Sequence, residues 1–143
     1  MKTHTQKEIK KLWNQMKKRL AEEEGFSYGL TCGAAQMRKG TATVNMGGML
    51  IIHNKKGLSG RPGSHITTKE EIANFEQSMR DLADWLTNTD AVSNFIREVG
   101  CAPCTIEFKQ YGRKQRDWYG RWHDSGVSCY DCYMRFHYPP AAE

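Results

Sequence analysis

Val127-Ser128-Cys129-Tyr130-Asp131-Cys132-Tyr133-Met134-Arg135-Phe136-His137-Tyr138 decides the fold. Tyr130, Cys132, Met134, Phe136 and Tyr138 fall at every second position, with Asp131, Tyr133, Arg135 and His137 between them. That is the period of a β-strand with one buried face. Pro139 and Pro140 cannot continue a strand, so residues 139–143 form a short tail. The same alternation would set Cys129 and Cys132 on opposite faces, which bears on the chemistry considered below.

Working backwards from this strand, Asp124-Ser125-Gly126 reads as a turn. Asp117 to His123 alternates Trp118, Gly120 and Trp122 with Tyr119, Arg121 and His123, which predicts another strand. Gly112-Arg113-Lys114-Gln115 reads as a second turn, preceded by a strand over Thr105 to Tyr111. Trp118 and Trp122 then share one face. The expectation is that they pack inward while the neighbouring charges are solvated.

Upstream lie the helices and a second set of strands. Thr5-Gln6-Lys7-Glu8 is a capping box, followed by Ile9, Leu12, Trp13, Met16 and Leu20 on one stripe and stopped by Gly25. Lys7, Lys10, Lys11, Lys17 and Lys18 occupy the other face of this helix. Phe26, Tyr28, Leu30 and Cys32 predict a strand, and so do Ala42, Val44 and Met46. Gly47-Gly48 reads as a hairpin turn into Met49 to His53, whose continuous apolar run suggests a central strand buried on both sides. Residues 54–66 form a loop rich in Gly and basic residues. Thr67 or Thr68 with Glu70 or Glu71 caps a second helix carrying Ile72, Phe75, Met79, Leu82, Ala83 and Leu86 inward. A third, short helix begins at Thr89 or Asp90, turns Val92, Phe95, Ile96 and Val99 inward, and stops at Gly100.

The expected architecture is a single α+β domain over residues 1–143. An antiparallel meander carries three helices on one face, in the order α-βββ(β)-α-α-βββ. At 143 residues the chain is long enough to bury a core without a metal or disulfide to hold it together. Its start is lysine-rich and unlike a signal peptide, and no apolar run approaches the ~20 residues that span a bilayer. Cysteine pairs in such a chain suit a reducing cytosol, so a cytoplasmic location is expected, with Cys32 as a small buried hydrophobe.

The net charge of +5 is unevenly spread. Residues 25–66 hold 5 basic and 0 acidic groups, whereas residues 67–100 hold 3 basic and 7 acidic ones. An acid-free segment suits a polyanionic partner.

Four of the 5 cysteines form two Cys-x-x-Cys pairs, Cys101/Cys104 and Cys129/Cys132, bracketing the segment 101–138. Four thiolates satisfy tetrahedral zinc, and such a closed site would be structural, with no open coordination position. His123 and His137 are further nitrogen donors. A redox reading of Cys101-Ala102-Pro103-Cys104 is weakened by its context. The thiols follow a helix C-terminus, where the dipole raises a thiol pKa instead of lowering it.

Between the pairs, Arg113, Lys114, Arg116 and Arg121 interleave with Tyr111, Trp118, Tyr119 and Trp122. That mixture can neutralise phosphates and stack on bases. Together with Arg38, Lys39, Lys55, Lys56 and Arg61, the residues Arg113, Lys114, Arg116, Tyr119 and Arg121 are the candidate contacts. No paired-carboxylate, HExxH, GxSxG or Walker pattern is present, so the chain leans away from catalysis, with an enzyme of unknown type as the third reading. The first is a non-catalytic protein contacting nucleic acid or a nucleoprotein complex, with structural zinc as a candidate staple. The second is a small protein-binding inhibitor or adaptor that occupies the nucleic-acid-handling site of a larger machine.

Overall fold

The computed structural model describes residues 4–26, 36–38, 40–53, 65–116 and 118–139. Within them the elements run α1 (Gln6–Glu24), β1 (Gln36–Arg38), β2 (Thr41–Ile52), α2 (Lys69–Thr87), α3 (Asp90–Val99), β3 (Ala102–Arg116) and β4 (Trp122–His137). The strands form an antiparallel sheet in the order β1-β2-β4-β3. The class is α+β, as the sequence predicts, with the helices on one face of the sheet.

Each helix begins where its capping chemistry says it should. Thr5 and Thr68 each accept from the backbone N–H three residues on, while Glu8 and Glu71 reach back to the cap. These reciprocal bonds satisfy two of the donors that a helix N-terminus leaves without partners. Thr89 caps α3, accepting from Val92. Gly25 and Gly100 end α1 and α3 in the left-handed conformation, at φ 68° and 76°.

β4 is an inner strand, and its even-numbered residues face the helices. Phe136 lies opposite Ala42 of β2, Met134 opposite Val44 and Ile106, and Cys132 opposite Phe108. Over Phe136 stand Trp13 of α1 and Phe95 of α3, with ring centroids 5.5 and 5.7 Å away and 5.4 Å from each other, all edge-on. Such T-shaped pairs add about 0.5–1.5 kcal/mol each beyond the area they bury. α2 covers the next part of the sheet. Phe75 meets Phe108 and Tyr130, the Arg80 guanidinium sits 5.2 Å over Phe108, and the Tyr130 hydroxyl donates to Glu76 at 2.8 Å.

The strand boundaries depart from the sequence-based expectation in four places. Gly47-Gly48 is a β-bulge inside β2 and makes no hairpin turn. Asn45 lies opposite Tyr133 and Gly47 opposite Cys132, which leaves Met46 as the extra residue. The Asn45 side chain accepts from the Gly47 N–H at 2.9 Å, and Gly47 takes φ 146°, a backbone conformation that side chains rarely adopt. One extra residue reverses the facing of all that follow. Ala42, Val44 and Met46 are buried before the bulge and Ile51 after it, so Leu50 turns to the open side and is exposed. Met49 to Ile52 is therefore not buried on both sides.

Gly112 to Gln115 is not a turn either. β3 runs on to Arg116, and β4 begins at Trp122 and passes through Asp124, Ser125 and Gly126, so two long strands stand where three short ones were expected. The turn that joins them contains Trp118, Tyr119 and Gly120. The strand expected over Phe26 to Cys32 falls outside the described residues except for Phe26, which packs against the core. Trp118 and Trp122 do not pack inward, for a reason that emerges from the geometry of the hairpin.

Candidate nucleic-acid interface

β2 stops pairing at Ile52, opposite Val127, whereas β3 and β4 continue together to Arg116 opposite Trp122. Beyond Val127, then, the sheet narrows among the described residues to a two-stranded ribbon, and no helix covers it. An aromatic side chain there has no core to enter. Trp118 is 95 % exposed, Tyr119 84 % and Trp122 64 %. Arg113, Lys114, Arg116 and Arg121 are exposed beside them.

The base of this arm is a wide irregularity. Gly112 pairs with Ser128, but the next pair is Lys114 with Asp124, so β4 carries the longer path. Ser125, which is buried, fills the gap with its hydroxyl, donating to the Arg113 carbonyl at 2.6 Å and accepting from the Val127 N–H at 3.3 Å. The Asp124 carboxylate accepts from the Gly126 N–H at 2.9 Å, and Gly126 takes φ 75°. Bulges of this kind bend a ribbon and re-aim its side chains. At the other end, the Arg116 guanidinium donates through Nε to the Gly120 carbonyl at 3.2 Å and lies 5.6 Å over the Trp122 ring. Arg116 thus closes the turn and holds one face of Trp122.

Of the predicted contact residues, Arg113, Lys114, Arg116, Tyr119 and Arg121 come together on this arm. Arg38 stands apart, exposed at the end of edge strand β1, where its carbonyl accepts from the Tyr138 hydroxyl. Lys39, Lys55, Lys56 and Arg61 lie outside the described residues. Residues 54–64, most of the expected basic loop, lie outside the described residues, but the residues flanking them are described and sit at the base of the arm. The His53 N–H donates to the Gly126 carbonyl at 3.1 Å, and Thr67 exchanges 2.8 Å hydrogen bonds with Ile52. His65, two residues before Thr67, bonds Glu71 at 2.6 Å, and that contact is the first cause holding the Glu71 carboxyl below its usual range. The lysines of α1 belong to another region. Trp13 of α1 rests on Phe136, at the opposite end of β4 from Trp122.

Sequence reasoning missed Trp118 and Trp122. The period of two was legible, but it says only that the two residues would share a face, not that anything covers that face. The signal that could have found them is Gly120, which takes φ 80° and makes the segment a turn.

The cysteines are distributed as strand alternation requires. Cys132 lies opposite Phe108 on the helix-facing side and is 0 % exposed, whereas Cys129 lies opposite Tyr111 and Leu50 on the open side. Cys101 and Cys104 pack half-buried against the core. Among the described residues no three Cys, His, Asp or Glu side chains are grouped to hold a metal ion. A four-thiolate zinc site would need β4 to open between Cys129 and Cys132, giving up its pairing on both sides. Elemental analysis with thiol counting addresses that rearranged strand directly: one zinc per chain with four protected thiols would establish it.

Burial pushes the Cys101 thiol up to about 12, with Cys104 nearby contributing, and pushes Cys104 and Cys132 up to about 11. Burial is the first cause of each of these shifts, and for Cys101 and Cys104 it acts in the same direction as the helix-end argument. Raised thiol pKa values favour folding while the thiols are protonated and lose that contribution as pH climbs. The urea midpoint is therefore expected to fall as pH rises above the ordinary thiol value of 9.0 towards about 11. At pH 8 the Cys132 thiol should react with a maleimide only on unfolding, and rapid labelling of native Cys132 would contradict its burial.

On the open face, Asp131 accepts from Tyr111 at 2.5 Å and from Tyr133 at 3.3 Å, and the Tyr111 hydroxyl is held well above its usual range chiefly by that bond. Arg135 pairs with Glu107 at 3.1 Å. These contacts tie the polar side chains of the open face to one another, whereas the arm carries its aromatic rings in an exposed position. No helix among the described residues is long and apolar enough to cross a membrane. Comparison with protein-family models, with characterised proteins and with solved structures finds no match for this chain.

Proposed function

We propose that this chain is a non-catalytic binding protein whose β3–β4 arm contacts nucleic acid or a nucleoprotein complex. The supporting observation is the arm itself: three exposed aromatic rings and four basic side chains on a narrow ribbon that extends past the core. Exposed rings of that size are costly to leave in water unless a partner takes them. The formal charges of the arm, Arg113, Lys114, Arg116 and Arg121 against Asp117 and Asp124, favour an anionic partner. A two-stranded ribbon is also narrow enough to approach a nucleic-acid backbone from a groove.

Neutralising phosphates releases counterions, so affinity for generic DNA or RNA should fall log-linearly with salt. The double variant Arg113→Glu/Lys114→Glu should bind at least about tenfold more weakly, with a salt slope shallower by about two. Absence of any binding at low salt would remove this reading. Trp, Tyr and Arg are also the residues of protein hot spots, so the second reading, an inhibitor or adaptor, shares the surface. A purified protein target that binds the arm without nucleic acid would favour it.

A further inference from the structure

We infer that the arm takes unpaired bases, which makes its ligand single-stranded nucleic acid. This rests on the nucleic-acid reading above and narrows it. In a duplex the bases stack on each other, and a protein reaches only phosphates and base edges. Phosphates are served by Arg113 and Lys114. Base edges need side chains with several donors and acceptors, and the indole of a tryptophan offers one N–H and no acceptor. Trp118 and Trp122 are therefore poorly suited to reading a groove. What they present is flat apolar area, and the complementary surface is the ring face of a base that has left its stack.

The geometry at Trp122 sharpens the point. One face of its indole carries the Arg116 guanidinium, itself tied to the Gly120 carbonyl at 3.2 Å. The ring is thus held in place before any ligand arrives, while 64 % of the residue stays exposed. A base on the other face would complete a stack of base, indole and guanidinium, with the cation strengthening both contacts. Trp118, at 95 % exposed in the adjoining turn, offers a second platform close by. Arg116 is on this account a positioning residue for Trp122 and not primarily a phosphate ligand.

The experiment compares an oligothymidylate of about 12 nucleotides with a duplex of the same length at one salt concentration, following tryptophan fluorescence and anisotropy. Vesicles of phosphatidylserine serve as a third ligand. The single strand should bind at least about tenfold more tightly than the duplex and quench the indole emission. Trp118→Ala and Trp122→Ala should each weaken single-strand binding about five- to a hundredfold and leave duplex binding within about twofold. Arg116→Gln should weaken single-strand binding and lower the tryptophan fluorescence anisotropy of the free protein, a drop that should be absent in a Trp122→Phe background. Both tryptophans lie outside the core, so the variants should melt at the parent temperature. Equal or tighter duplex binding, or tryptophan variants that weaken both ligands alike, would overturn the single-strand inference while leaving the nucleic-acid reading standing. Vesicle binding without nucleic-acid binding, or no binding of either nucleic acid at low salt, would overturn both.

Discussion

Replacing Phe136 by alanine is expected to lower the free energy of unfolding by about 3–5 kcal/mol, measured by urea denaturation. The ring is 0 % exposed and sits where three elements of the fold meet, on β4 with Trp13 of α1 and Phe95 of α3 above it. Its truncation leaves a space bounded by two large aromatics from different helices, and neither can collapse into it without leaving the other. A domain of this size has a total stability of about 5–15 kcal/mol, so the variant should be marginal or unfolded at 37 °C. Near-UV circular dichroism should lose much of the signal of Trp13. A cost below about 1 kcal/mol would mean that α1 and α3 do not close over the sheet in this way.

The second large effect is expected at Gly47. Its φ of 146° lies outside the range of ordinary side chains, so Gly47→Val should cost about 1–3 kcal/mol through backbone strain. Space at Cβ is not the cause, since a Cβ there meets only the end of the Met79 side chain, its sulphur at 3.4 Å and its methyl at 3.7 Å. Gly47→Asn separates the bulge from the hairpin turn that the sequence suggests. Asparagine is welcome in a tight turn near φ ≈ +57° but gains nothing at this bulge. Asparagine should therefore be nearly as damaging as valine, and a neutral Gly47→Asn would restore the turn. At Gly48 the limit is different, because a Cβ would run into the Asp131 carboxylate that Tyr111 and Tyr133 hold.

The helices were legible from the sequence almost to the residue, because caps are local. Thr5 with Glu8, Thr68 with Glu71, and the stop glycines Gly25 and Gly100 each act within one turn of chain. The alternation from Tyr130 to Tyr138 was equally readable, being set by one buried face. What misled was glycine in strands. Gly47, Gly112 and Gly126 carry the sequence signature of turns, and each marks an irregularity inside or beside a continuous ladder, where register is decided by the partner strand. The true hairpin turn, with Trp118 and Tyr119, carries residues that favour strands. The candidate site was legible to the same degree. Arg113, Lys114, Arg116, Tyr119 and Arg121 could be gathered from composition, but the exposure of Trp118 and Trp122 depends on where β2 runs out while β3 and β4 continue, which is a property of three elements at once.

The narrowing of the sheet after Val127 separates two kinds of selection. Among the described residues, none from Arg113 to Asp124 belongs to the buried core cluster, and the buried Ser125 and Val127 stand at the base of the arm. Changes in the arm's length, charge or aromatic content should therefore leave folding nearly untouched and, on the function proposed above, act on recognition. If the arm binds as proposed, a lineage carrying this fold could exchange one ligand for another by rewriting about a dozen residues, with the stem at Ser125 to Val127 as the seam along which old and new pieces join.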